Sequence, residues 1–206
     1  MVRKLFLFAA CFSFGLTMYA QDRYGYAIMR MPEQWRVSGL ISASATYAPS
    51  IGLSDGVNRF HLHGFAEYHV SKAVSVKSDS YLFLNSTVVE FYDDDMFRSY
   101  FGAFYHLNQR SLGNWDVKFG ILPGITYLKR TPWLNNEGED PYTRSLAPSI
   151  SIVAGFDYYV WKYFHFFSQV SYLHSNMRGF PSGSILMNEI VFSAGLGFQI
   201  PTIRQK

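Results

Sequence analysis

The chain has almost no cysteine. Cys11 is the only one among 206 residues, and it falls inside an N-terminal stretch that reads as an export signal. Disulfides and thiolate metal centres are therefore excluded from the rest of the chain. Long apolar runs are also missing. After Ala20 no segment is continuously apolar for the ~18 residues that mark a spanning helix. A basic excess is missing too. Once Arg3 and Lys4 leave with the signal, 16 basic side chains stand against 15 acidic ones, and no basic run remains to neutralise phosphates. Nucleic acid is not expected as a partner. Finally, no long segment repeats its apolar residues every 3.6 positions, which removes an amphipathic helical bundle.

What is present begins with the first 20 residues. Arg3 and Lys4 form a positive start, residues 5–16 an apolar core, and Thr17, Met18, Tyr19 and Ala20 a small-residue end before Gln21. That is the order of a cleaved secretory signal. The apolar run is too short for a transmembrane anchor. A lipid-modified Cys11 would have only six apolar residues before it and a run that continues past it. The expected organisation is a signal at 1–20, a periplasmic segment at 21–33, a barrel at 34–200 and a tail at 201–206.

The chain holds 19 Phe and 15 Tyr, yet its mean hydropathy is −0.01. Strands that cross a bilayer combine these properties, because apolar and polar residues alternate along them. Period-2 alternation recurs in eight stretches of about the length such a strand needs: 35–47, 57–70, 74–85, 97–107, 115–127, 149–161, 164–175 and 185–200. In the second, Phe60, Leu62, Gly64, Ala66, Tyr68 and Val70 oppose Arg59, His61, His63, Phe65, Glu67 and His69. The third sets Val74, Val76, Leu82 and Leu84 against Lys77, Asp79 and Asn85. The sixth sets Ile150, Ile152, Ala154, Phe156, Tyr158 and Val160 against Ser151, Gly155 and Asp157. Connections after even strands are short, around 71–73, 108–114 and 162–163. Those after odd strands are mostly longer, 129–148 most clearly. Short periplasmic turns and longer outer loops are the habit of outer-membrane barrels. Trp35, Tyr47, Tyr68, Phe97, Trp115, Tyr127, Phe164, Tyr172 and Phe198 fall near strand ends on the apolar face, where interface girdles form. The fold expected is all-β: a closed, antiparallel, up-and-down transmembrane barrel of about eight strands.

In the last strand, Ser193-x-Gly195-x-x-Phe198-x-Ile200 resembles the C-terminal signal read by the barrel-assembly machinery. It departs from that pattern in continuing through Pro201 to Lys206. The mature chain resembles the small outer-membrane β-barrels of the OmpX/OmpA-like class. The resemblance implies outer-membrane lipid as its surroundings and assembly machinery as a partner in biogenesis.

Eight strands make a barrel that side chains can fill. The polar faces then converge, and buried charges must pair. The inward set is Arg59, Glu67, Lys77, Asp79, Arg98, His106, Asp116, Lys118, Asp157 and Glu189, with His61, His63 and His69. A tight turn at 71–73 places Glu67 opposite Lys77. Similar reasoning places His106 opposite Asp116. The network reads as a plug, with a narrow pore as the alternative. No metal or other cofactor is expected, since His61-x-His63 has Arg59 and Phe65 for neighbours rather than further donors.

Two other readings carry specific chemistry. Leu173-His174-Ser175-Asn176 resembles the His-x-Ser-Asn segment of outer-membrane lipid A deacylases. In that family His and Ser are two apart and share a strand face. Here they are adjacent and face opposite ways, so His174 and Ser175 are candidates that lack the geometry of a nucleophile–base pair. Catalysis is not expected. A soluble periplasmic barrel around an apolar ligand would need apolar residues inside, against the charged set above. What remains is a structural or surface-interaction role, with 87–96 and 129–145 as the outer loops a partner would meet.

Overall fold

The structure is a computed structural model and describes residues 39–87, 93–107, 114–130, 143–161, 163–180 and 183–201. The expected signal, the segment 21–33, Trp35 and residues 202–206 lie outside the described residues. Eight strands follow one another: β1 (Leu40–Gly52), β2 (Asn58–His69), β3 (Val74–Ser86), β4 (Asp93–His106), β5 (Trp115–Arg130), β6 (Thr143–Trp161), β7 (Phe164–Phe180) and β8 (Gly183–Pro201). Each pairs antiparallel with its neighbours, and β8 closes on β1. The closing ladder pairs 40–43 with 198–201 and 50–52 with 189–191. Between these stretches Ser44 Oγ donates to Leu196 O and Thr46 Oγ1 to Ala194 O, so side-chain hydroxyls satisfy carbonyls that the ladder leaves open, as a bilayer requires.

Alternation decides which residues go where. On β1, Ser42 and Ser50 are buried while Ile41, Tyr47 and Ile51 are exposed. On β5, Asp116, Lys118 and Leu122 are buried while Trp115, Phe119, Ile121 and Ile125 are exposed. Ionisable groups are thus inside and large apolar groups outside, the reverse of a water-soluble domain. Phe101 is 63% exposed and Ile121 59%. A continuous apolar belt of this kind is a lipid-facing wall. Up-and-down barrels with an even number of strands span bacterial outer membranes, and the apolar-out, polar-in wall places this chain there.

Both barrel ends of the chain, the start of β1 and the end of β8, share a rim with the connections 70–73, 107–114 and 162–163. On the opposite rim 131–142 keeps the expected greater length and 87–92 keeps it in part. There 53–57 is short and β7 joins β8 through 181–182 alone, because the β7–β8 ladder runs on past the apolar band. Barrels of this class keep their chain ends on the periplasmic side. The β2–β3 turn there is tied by Ser71, whose Oγ accepts hydrogen bonds from the backbone N–H of Ala73 (3.2 Å) and Val74 (3.1 Å). At the outer rim, Gly56 takes φ +69° in the β1–β2 turn, a conformation that costs glycine little. Ser54 Oγ fastens this turn to β8 by donating to Leu186 O at 2.6 Å.

Some strand limits differ from expectation. β1 runs on to Gly52, so Tyr47 lies within it rather than at its end. β6 begins at Thr143 and β7 continues to Phe180, because the hairpin ladders extend past the apolar band into polar sequence. The outer loop expected at 87–96 is shorter, since 93–96 belongs to β4 and Met96 is fully buried. Residues 88–92 and 131–142 lie outside the described residues. A bulge between Phe60 and His61 pairs Asn85 with Phe60 and Phe83 with His61. Asn85 is exposed rather than lining the interior, because the extra residue inverts the alternation above it.

Candidate functional site

The lumen is the one place where chemistry-bearing side chains converge among the described residues. Its contents fall into layers. At the outer end Met96, Leu128, Ala147, Met177 and Met187 pack together, with Phe83 and Ile185 against them. Below lies an ionic cluster. Arg59 Nη1 donates to Glu189 Oε1 at 3.0 Å and Arg98 Nη2 to the same oxygen at 2.8 Å. Arg59 Nη2 reaches Asp55 Oδ2 at 2.6 Å, and His61 Nε2 lies 3.2 Å from Glu189 Oε2. The middle layer is aromatic and aliphatic, with Tyr81, Tyr100, Phe104, Leu122 and Leu173 buried together. Phe104 fits because Gly120 stands opposite: a Cβ there would lie 2.8 Å from the ring.

The inner half holds the rest of the charge. Lys77 Nζ donates to Gln169 Oε1 and lies 3.1 Å from Asp79 Oδ1. Gln169 Nε2 donates to Asp79 Oδ2 at 3.0 Å, and His63 Nε2 to Asp79 Oδ1 at 3.2 Å. Lys118 Nζ donates to Glu67 Oε2 at 2.5 Å and pairs with Asp157 Oδ2 at 2.6 Å. His106 Nδ1 meets Asp116 Oδ2 at 2.5 Å.

All ten residues of the expected ionic set are buried in the lumen. Their pairing differs in part from the sequence expectation. Glu67 does face Lys77 in the ladder, yet Glu67 bonds Lys118 across the lumen and Lys77 bonds Asp79 on its own strand. His106 is opposite Lys118, not Asp116. It touches Asp116 diagonally, one inward position nearer the rim. The two-residue offset reflects the stagger that closure imposes on a barrel's strands, which turn length alone does not reveal. Gln169 and Ser75 are junctions the sequence did not single out. Their neutral side chains carry no signal until the register is known.

His174 and Ser175 lie on opposite faces. Ser175 is buried inward, while His174 is half-buried on the outer face, its Nδ1 2.7 Å from Asn188 Oδ1. Pairing through both residues is regular on each side, so no bulge brings them together. The assembly-signal residues lie on β8. Ser193 faces the lumen, Gly195 is half-buried there, and Phe198 and Ile200 face out, pairing with Ala43 and Ile41 of β1. On the outer wall, Tyr47, Pro49, Ala154, Phe156 and Phe192 border a groove of about 560 Å³.

Fold and lumen together define a small eight-stranded outer-membrane β-barrel. No family model and no curated protein sequence matches the chain. Among solved structures it is similar to Ail, the attachment invasion locus protein of Yersinia pestis (14% identity, TM-score 0.51, covering 80% of this chain and all of that one). It is likewise similar to OprG of Pseudomonas aeruginosa (12%, 0.51, 80% and 97%) and to Neisserial surface protein A (12%, 0.50, 79% and 96%). At such identities the likeness is one of fold.

Proposed function

We propose that this chain is a closed barrel, neither pore nor enzyme, that acts through its outer rim. The filling of the lumen carries the reading. Arg59, Arg98, Lys77, Tyr81 and Phe104 are each at most 1% exposed, and two ionic layers, an aromatic layer and an apolar cap lie in series. Packing of this kind supports a closed lumen, since side chains fill the interior of an eight-stranded barrel. The divergence of His174 and Ser175 argues against a deacylase-like dyad.

Contact with a surface partner then falls to the sequence between β3 and β4 and between β5 and β6, the parts of 87–96 and 129–145 that the strands do not take up. Support comes from strand length. The 19-residue β6 and β8 and the 17-residue β7 outrun the ~9–11 residues that cross a bilayer and carry their hairpins beyond it. In biogenesis, Ser193, Gly195, Phe198 and Ile200 are proposed as the assembly signal, a reading supported by their place on the closing strand. Planar-bilayer conductance of the refolded protein, with heat-modifiable gel mobility to establish folding, tests the main claim. The expected result is a folded band without unitary currents. Reproducible single-channel steps from folded protein would replace the plug with a pore.

A further inference from the structure

The inner half of the lumen carries more negative charge than its lysines can match. Glu67, Asp79, Asp116 and Asp157 face Lys77 and Lys118, all at most 2% exposed. Asp116 Oδ1 and Asp157 Oδ1 accept no hydrogen bond among the described residues. Buried carboxylates in this excess are partnered by a further cation, either a protonated histidine such as His106, which lies between Asp116 and Glu67, or a bound metal ion that takes the proton's place.

Three metal-ligating side chains meet at this place. One donor atom each of Glu67, His69 and His106 lies within 4.8 Å of the others. Glu67 Oε1 is 3.9 Å from His69 Nε2 and 3.5 Å from His106 Nε2. Donors around a tetrahedral zinc ion lie roughly 3.3 Å apart, given bond lengths near 2 Å. The side chains need move by only a fraction of an ångström to about one. Topology explains the convergence. Glu67 and His69 are successive inward residues of β2, and His106 is the last residue of β4. Ser75 on the intervening β3 is small enough for them to meet across it. Its Oγ donates to Glu67 Oε1 at 2.5 Å and lies 2.8 Å from His106 Nε2, and it can turn aside or serve as a further oxygen donor.

The surroundings also suit a metal. Asp116 Oδ2 holds His106 Nδ1 at 2.5 Å, the carboxylate–histidine arrangement that aims Nε2 at an ion and raises its basicity. Lys118 occupies Glu67 Oε2, leaving Oε1 for coordination. Two imidazoles and one carboxylate suit a divalent transition ion rather than calcium or magnesium. We infer that Glu67, His69 and His106 form a divalent transition-metal site at the periplasmic end of the lumen, with Asp116 as its positioning residue.

The test uses the whole chain, refolded in detergent without a histidine tag and stripped of metal. Zn²⁺ titration by calorimetry should give one site per chain, and Co²⁺ should give tetrahedral visible absorption that Zn²⁺ abolishes. His69→Gln and His106→Gln, accepted only if heat-modifiable mobility is kept, should lose the site. Asp116→Asn should weaken it by about 10- to 100-fold, and His174→Gln on the outer wall should leave it intact. Absence of stoichiometric uptake by the unaltered protein overturns the inference. Uptake that survives both histidine substitutions overturns it equally, as does a Co²⁺ spectrum unchanged by them.

Discussion

The two ionic clusters of the lumen solve the same problem in opposite ways. In the outer one, Arg59 and Arg98 converge on Glu189, and Asp55 completes the balance. Each guanidinium donates one hydrogen bond to the same oxygen, Glu189 Oε1, while Arg98 Nε and Nη1 have no hydrogen-bond partner among the described residues. In the inner one the surplus is negative, the cations are lysines, and histidines lie among the carboxylates. Lys118 bridges Glu67 and Asp157 as a point charge. The outer cluster is therefore balanced in charge, two arginines against Glu189 and Asp55, whereas the inner one has room for a further cation. Which charge is indispensable should differ between them: the anion outside, the lysine inside.

The largest effect expected follows from that contrast. Glu189→Gln leaves Arg59 and Arg98 buried around a neutral group, and removing one partner of a buried ion pair costs about 3–5 kcal/mol. In the inner half the equivalent loss comes from Lys118→Met, which strands Glu67 and Asp157. Urea unfolding in lipid vesicles, followed by tryptophan fluorescence and gel mobility, should place both variants far below the parent. A mild phenotype for Glu189→Gln would mean that the outer cluster is not the charge-balanced unit described above.

A smaller effect separates fit from charge at the inner end. Gly197 faces the His165 ring so closely that an added Cβ would lie 2.2 Å from it. Gly197→Ala must displace the ring, and overpacking of this kind costs about 1–3 kcal/mol. The same unfolding assay should register a shift in midpoint without loss of the folded band. Should the substitution prove neutral, the inner layer yields readily, and its stability would rest on charge rather than on packing.

Much of this architecture was legible before the structure, because alternation in a strand assigns each residue a face. That rule placed Arg59, Glu67, Lys118 and Glu189 inside and Ile121 and Phe198 outside. It failed where the period changes, at the β2–β3 bulge beside Asn85, and where the ladder outlasts the apolar band, as at Thr143. Partners were harder to read than faces. Arg98 meets Glu189 across 91 positions of sequence, and only the tilt and stagger of the closed barrel bring them level. The meeting of Glu67, His69 and His106 was hidden for the same reason. Two of these residues stand in plain period on β2, but the third arrives from β4 across a serine that carries no signal of its own.

The smallest effect expected is also the sharpest probe of the contrast. Asp157→Asn removes one negative charge from the half that has too many, while Lys118 keeps Glu67 at 2.5 Å. The amide can still accept a hydrogen bond from the lysine, so little is lost beyond the ion pair's net worth, about 1 kcal/mol or less. Stability should fall by much less than in Glu189→Gln, although both substitutions exchange a buried carboxylate for its neutral isostere. Measured side by side in the same vesicles, equal losses would indicate that the inner lumen is as fully compensated as the outer. A large gap in the expected direction would show that the inner carboxylates outnumber the cations they need, the condition under which a bound metal ion stabilises the barrel rather than burdening it.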